Sequence, residues 1–335
     1  MTQPVLVDFK RILRARLRAA LEANGLAAGR PLDQDIRTLA QFDRDALRKA
    51  LNGAARDMFG GSVPFDRPGD AVSLFVKFVY SLLRAPRDRF WFNDYMFNLA
   101  AGDEILDPLR VFVTDKEYGK LYVKSVLGED LAVPTLAILD DPAAVDSYTF
   151  PDTCVAKPTH SSRTILVRKP GEPFDPEIVK GWFAHDYYPR SREANYRTLR
   201  PKVIVEPLLF DGKPLIDLNV FCFEGEARML RMTTGLIAGM RQTCLSLDWE
   251  PLAITRPRYR RHEVIPDAPA CLEEVKRIAV LLAVRFSFIR IDFLVRDRDF
   301  HVGEITNLSG GAIGRYAGAG EREMSLRIFG DRALQ

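Results

Sequence analysis

Two acids in the stretch FIRIDFLVRDRDFHVGEITNLSGG, Phe288 to Gly311, have the spacing of a metal pair. Strand-like runs flank the polar break Asp297-Arg298-Asp299, which predicts a hairpin with a three-residue loop. Such a loop sets Arg296 opposite Phe300, and so Asp292 opposite Glu304, with both side chains on one face about 5 Å apart. Opposed carboxylates repel unless a cation lies between them. Hard oxygen ligands on a rigid hairpin suit Mg²⁺ and leave positions open for phosphate oxygens. Arg290, two residues before Asp292, shares that face and is placed to offset charge on a transferring phosphoryl group. The alternative is a surface hairpin with solvated acids, but the apolar neighbours Ile289, Ile291, Phe293 and Val302 predict a covered opposite face.

Further groups that bear chemistry lie upstream. In Cys154-Val-Ala-Lys-Pro-Thr-His-Ser-Ser-Arg163 an apolar run ends in lysine and proline and opens a polar loop, whose N–H groups, Ser161, Ser162 and Arg163 can face a phosphate. Lys157 is then the fixed cation; ordinary turn punctuation is the competing reading. Val203 to Leu209 reads as a buried strand reaching Glu206, with Asp217 following, and an acid at a strand exit can accept from an exocyclic amine or a ribose hydroxyl. Thr114-Asp-Lys-Glu117 predicts a capping box opening a helix over Lys116 to Val126, with Lys116 in its first turn facing outward toward an anion. Arg231 and Arg241, on strands between Glu206 and the hairpin, are candidates for holding an anionic substrate, against the commoner fate of strand-end arginines facing water.

These residues need a scaffold, and its texture changes along the chain. Phe9, Ile12, Leu13, Leu17, Ala20 and Leu21 recur at helical spacing from Leu6 to Leu26, a second helical pattern covers Pro31 to Met58, and a third resumes over Val72 to Leu83. The first stripe must be buried on the body of the chain or on a second copy. Beyond about Arg87, β-branched runs at Thr164 to Lys169, Lys202 to Glu206, Leu215 to Phe223, Ala227 to Met232 and Arg241 to Leu247 predict a large, mostly antiparallel sheet, with a helix over Leu272 to Phe286. The class is α+β.

Composition sets the limits. Apolar residues make up 47% of 335 residues, enough for packed cores and incompatible with disorder or collagen-like repeats. The 48 basic and 45 acidic side chains leave +3, so nothing in the net charge demands nucleic acid or a membrane surface. The longest apolar runs are far short of the roughly 20 residues of a membrane span, and the charged start is unlike a signal peptide, so a cytoplasmic protein without stable membrane insertion is expected. Four cysteines without metal-site spacing predict neither disulfides nor zinc.

The blocks TDK, VAKPTHSS, VIVEPLL with a downstream Asp, and RIDFLV followed by GEIT resemble, in that order, the ATP-grasp superfamily. Their wording is most similar to the TupA-like ATP-grasp family, associated with teichuronopeptide and other cell-surface polymer biosynthesis. The resemblance covers Phe90 to Gly311. It implies nucleotide held between two α+β subdomains, expected over residues 89–200 and 201–335. Residues 1–88 lie outside the resemblance, and the glycine-rich joint Gly60 to Gly69 with the apolar stripe predicts a separable helical region whose face can meet a second copy in a homo-oligomer. By the same resemblance Lys116 and Lys157 meet ATP phosphates beside Ser161, Ser162 and Arg163, Glu206 the adenine amino group and Asp217 the ribose. Asp292 and Glu304 hold Mg²⁺, with Asn307 or Thr306 as third ligand, and Arg290 is catalytic. The implied activity is an ATP- and Mg²⁺-dependent joining of a carboxylate to an amine through an acyl phosphate. A non-catalytic nucleotide-binding scaffold and a kinase acting on a hydroxyl are the alternatives. Three departures from the family pattern stand out: a phosphate loop without glycine, Thr306 two residues after Glu304 where Asn is usual, and Asp217-Leu-Asn219 where Asp-Tyr-Lys is common.

Overall fold

A computed structural model describes residues 2–212, 214–235 and 239–334. The first helix, α1 (Thr2–Ala23), turns Phe9, Leu13, Leu17 and Leu21 inward with no exposure left. The cover comes from the same chain, mainly α3 (Arg44–Phe59) and α4 (Arg67–Leu82), with α2 (Leu32–Phe42) alongside. The pattern over Pro31 to Met58 is two helices rather than one, because Asp43 leaves helical geometry at φ −153° and its carboxylate accepts from the Asp45 N–H to cap α3. Helix α4 begins earlier than the apolar run at Val72, since Asp66 caps it at the Gly69 N–H and Pro68 sits in the first turn, where no N–H is needed. A β-carbon on Gly69 would lie 2.0 Å from the Pro64 carbonyl oxygen, so only glycine fits there.

Three further helices follow: α5 (Phe92–Ala101), α6 (Pro108–Thr114) and α7 (Lys116–Leu127). Asp115, not Thr114, caps α7, accepting from the Glu117 N–H; the Thr114 hydroxyl is spent on the Arg110 carbonyl one turn back in α6.

Where the β-branched runs predict one sheet there are two, both antiparallel. The smaller has the order β1 (Ala137–Leu139), β4 (Val203–Pro207), β2 (Cys154–Pro158), β3 (Leu166–Arg168). It carries its own core of Leu139, Phe150, Val179, Trp182, Val203 and Val205, closed by the short helices α8 (Pro142–Ser147) and α9 (Pro176–Gly181). The short α10 (Tyr188–Ser191) follows. Strand β4 is paired on both edges, by β1 and by β2 with Val155 opposite Glu206, and the next strand opens a second sheet in the order β7 (Arg241–Leu245), β6 (Glu226–Thr234), β5 (Ile216–Phe223), β8 (Phe288–Arg296), β9 (Asp299–Thr306).

One face of this second sheet is apolar throughout: Leu218, Val220, Leu230, Met232, Ile289, Ile291 and Phe293 pack under α11 (Leu272–Ala283) and α7. The other face is divided. Phe221, Phe223, Met229, Cys244 and Phe288 join one apolar cluster that runs from Phe9 of α1 to Phe329 of α12 (Gly320–Phe329), so the helical region and the end of the sheet share a core. Further along the same strands the residues are polar. All four cysteines are free and buried, and no described helix is long and apolar enough to cross a membrane.

Leu17→Ala is therefore expected to cost about 2–5 kcal/mol of unfolding free energy, against less than about 0.5 kcal/mol for Val7→Ala on the exposed side of α1. Denaturant unfolding checks this; equal costs would mean that the stripe does not reach the core.

Candidate functional site

The polar half of the divided face is the floor of a cleft of about 510 Å³. Strand register puts its residues side by side: Asp217 opposite Thr233, Asn219 opposite both Arg231 and Asp292, and Thr233 opposite Gln242. Asp292 faces Glu304, as expected from the sequence, but by a different route. The hairpin turn has two residues, Asp297 and Arg298, with Arg296 opposite Asp299 and Asp297 at φ 52°. A β-bulge between the Asp292–Glu304 and Phe293–Val302 pairs then absorbs Gly303. Had the turn's register continued unbroken, Glu304 would stand opposite Ile291 on the apolar face.

Arg290 forks onto Asp292, with Nε 2.6 Å and Nη2 2.5 Å from its two carboxylate oxygens. The same guanidinium reaches Thr306 Oγ1 at 3.1 Å and Ser309 Oγ at 3.0 Å. Burial alone would lower the Arg290 pKa; Asp292 and Glu304 raise it instead. Burial, and then the charge of Asp292, push the Asp217 carboxyl up to about 7. Asn219 Nδ2 donates to Asp217 at 2.7 Å.

Helix α7 delivers Lys116 between the two sheets. Its ammonium donates to the Ser161 carbonyl and lies 3.8 Å from Glu304 Oε1, joining the Ser-rich loop to the hairpin. Glu206 is held by Lys157 at 2.8 Å and by Lys120 at 2.6 Å. Lys120 was not singled out from sequence, although its place one turn after Lys116 puts both cations on one helix face. Asn307 anchors rather than projects: its Oδ1 accepts from Arg110 at 2.9 Å and its Nδ2 donates to the Arg110 carbonyl and to Thr114 Oγ1. Ser162, Arg163, Asp217, Arg231, Arg290 and Glu304 line the cleft, Lys116, Lys157, Ser161, Glu206 and Asp292 lie outside its lining, and so does Arg241, which donates to the Arg261 carbonyl and pairs with Glu263.

The far wall escaped sequence reading. Tyr187, Glu193, Asn195 and Tyr196 come from the segment around and just after α10, and Arg256, Arg258 and Tyr259 from a loop after β7. Burial raises the Glu193 carboxyl to about 7, against the pull of Lys77. The run Thr255-Arg-Pro-Arg-Tyr-Arg-Arg261 was the available signal for the loop after β7.

The residues fit a nucleotide with one cation. Among the described residues no three Asp, Glu, His or Cys side chains converge as a cage, but Mg²⁺ needs only one or two carboxylates when phosphates complete its shell. Two buried polar atoms, Ser161 Oγ in the Ser-rich loop and Asn195 Oδ1 on the cleft wall, have no hydrogen-bond partner among the described residues. The loop without glycine still uses glycine's backbone geometry, with Arg163 at φ 66°.

Residues 102–322 match the TupA-like ATPgrasp family, about two thirds of the chain, and the chain belongs to that family. Among solved structures it is similar to the D-alanine–D-alanine ligase of Helicobacter pylori, at 16% identity and TM-score 0.35 over 61% of this chain and 53% of that one. It is similar to the ATP-grasp ligase PsnB in complex with a minimal precursor, at 16% identity and TM-score 0.37 over 69% and 66%. The D-alanine–D-alanine ligase of Coxiella burnetii gives 14% and 0.39 over 68% and 56%. The chain thus spans about half to two thirds of the length of these structures. No curated protein matches it.

Arg163→Gly should raise stability by about 1 kcal/mol by relieving the left-handed backbone, and weaken Mg²⁺-ATP binding by removing the charge. Calorimetric titration beside denaturant unfolding reads both. Greater stability with unaltered nucleotide affinity would take this side chain out of the phosphate site.

Proposed function

We propose that this chain is an ATP- and Mg²⁺-dependent ligase that activates a carboxylate as its acyl phosphate and passes it to an amine, acting in the cytoplasm on a surface-polymer or peptide-like substrate. The observation that carries the reading is the Arg290 fork on Asp292 with Glu304 opposite, Arg290 and Glu304 lining a polar cleft and Glu304 tied through Lys116 to the Ser-rich loop. Asp292 and Glu304 would hold Mg²⁺, which supplies charge to the phosphoryl oxygens when bound. Both oxygens of Asp292 are occupied by Arg290, so metal binding would release part of that guanidinium toward the reacting oxygens. Lys116, Lys157 and the loop of Ser161, Ser162 and Arg163 would orient the phosphates, Glu206 the adenine and Asp217 the ribose. Arg231, on the floor, would face the substrate. Thr306, which donates to Asp292 at 3.3 Å, is nearer the metal pair than the Asn307 amide, which α6 holds.

The pairing of Glu206 with two lysines and of Asp292 with Arg290 favours a second reading, a nucleotide-binding scaffold whose acids are satisfied within the chain. Ligand stabilisation and turnover separate the two. Mg²⁺-ATP at about 100 times its dissociation constant should add about 2.7 kcal/mol to wild-type stability, and Asp292→Asn or Glu304→Gln should abolish this gain. Phosphate release by wild type should require both a carboxylate and an amine. Stabilisation without ADP formation on any substrate pool would support the scaffold, ADP formation with a hydroxyl acceptor and no phosphate release would support a kinase, and equal stabilisation of all three proteins would remove the metal assignment.

A further inference from the structure

Three arginines are buried among the described residues: Arg110, Arg192 and Arg231. Arg110 pairs with Glu104 and Arg192 with Asp70 at 3.2 Å. Arg231 is 7% exposed, and no carboxylate among the described residues lies within ion-pair distance of it. Its partners are neutral: Nε donates to Asn219 Oδ1 at 2.8 Å, and the guanidinium stands 5.1 Å above the Phe221 ring. Arg256, on the adjoining wall, is held in the same way, with Nη1 3.2 Å from Gln242 Oε1 and the guanidinium 5.1 Å from the Tyr259 ring. It too has no acid within pairing distance among the described residues. Amide oxygens and aromatic faces aim a guanidinium without cancelling its charge, whereas Arg290, in the same cleft, is spent on Asp292. Burial, with Arg290 and Arg256 nearby, lowers the Arg231 pKa to about 10, and Asp292, which is not paired with Arg231, offsets only part of this. A buried charge without a directly paired carboxylate is costly in a folded protein, so the natural completion of this site is an anion.

We propose that Arg231 and Arg256 form a second oxyanion subsite, which holds an anionic group of the substrate other than the carboxylate being activated. Resting on the ligase reading above, this narrows the substrate to a carboxylic acid carrying a second carboxylate or a phosphate. Arg231 lies on β6 opposite Asn219 and Arg290 on β8 opposite Phe221, with β5 between them, so the two anion positions stand about 12 Å apart at the level of the sheet, a gap the arginine side chains shorten. Guanidinium forks suit either oxyanion.

The test is calorimetric titration of glutarate, inorganic phosphate and butyrate into the full chain, its Arg256→Gln and Arg231→Gln variants, and Arg241→Gln as a control outside the cleft. Glutarate or phosphate should bind at least tenfold more weakly to Arg256→Gln and unchanged to Arg241→Gln, while the monocarboxylate butyrate shows no dependence on Arg256. A response confined to glutarate identifies a second carboxylate, and one confined to phosphate identifies a phosphoryl group. If Arg231→Gln does not fold, the half-buried Arg256 decides alone. Absence of binding by wild type, or equal binding by wild type and Arg256→Gln, overturns the subsite. Mg²⁺-ATP stabilisation measured on the same samples keeps the two claims apart: its loss with arginine-dependent anion binding intact sinks the ligase reading only.

Discussion

Alternate residues of a strand share a face, so a face can change character only where the sequence changes at every second position on neighbouring strands at once. The five-stranded sheet meets that demand. Along β5 the cleft-side face reads Asp217, Asn219, Phe221, Phe223; along β6, Thr233, Arg231, Met229; along β8, Asp292, Arg290, Phe288. The polar members apart from Asp292, which Arg290 holds, form the cleft floor, and the apolar members join the core shared with the helices. Phe221 marks the boundary, with Arg290 as its strand partner and Arg231 above its ring. A single surface thus supplies both a buried core face and a polar cleft floor, and the bulge at Gly303 keeps Glu304 on the cleft side of it.

The helical region contributes more than cover for the apolar half. Asp70 of α4, fully buried, accepts from the Tyr188 hydroxyl at 2.8 Å and from Arg192, while Arg192 also donates to the Pro64 carbonyl at 2.6 Å and Lys77 to the Ser191 carbonyl at 2.7 Å. These bonds hold the segment that ends in Glu193, Asn195 and Tyr196, the wall of the cleft. On its other side the wall is tied to the hairpin through Thr114, whose hydroxyl accepts from both Asn195 and Asn307. Residues of the first ninety therefore fix the shape of a cleft whose chemistry lies wholly in later segments.

How far this was legible in the sequence depends on the range of the forces involved. The Asp292 and Glu304 pairing was readable because a hairpin is local, yet the three-residue loop assumed for it proved to be a two-residue turn plus a bulge, which lead to the same pair. The helical stripe of α1 was readable from its period. Separation of the β-runs into two sheets was not, because pairing of Val155 with Glu206 joins segments about fifty residues apart and no local pattern announces it. Arg231 and Arg241 looked equivalent as strand arginines; register separates them, since Arg231 shares a face with Thr233 and Gln242 whereas Arg241 is one residue off that parity. Arg256 and Tyr187 sit on irregular loops, which carry no period and take their positions from distant partners.

The central claim is that Glu304, brought to the cleft face beside Asp292, binds the metal of a nucleotide complex directly. A change of metal preference tests it most directly. Glu304→Cys replaces a hard oxygen ligand with a soft thiolate, which binds Cd²⁺ well and Mg²⁺ poorly. Thermal unfolding of wild type and of Glu304→Cys, each with Mg²⁺-ATP and with Cd²⁺-ATP, reads the outcome. The account predicts that the variant loses stabilisation by Mg²⁺-ATP and regains it with Cd²⁺-ATP, whereas wild type responds to Mg²⁺-ATP. Identical metal preferences in the two proteins would contradict it.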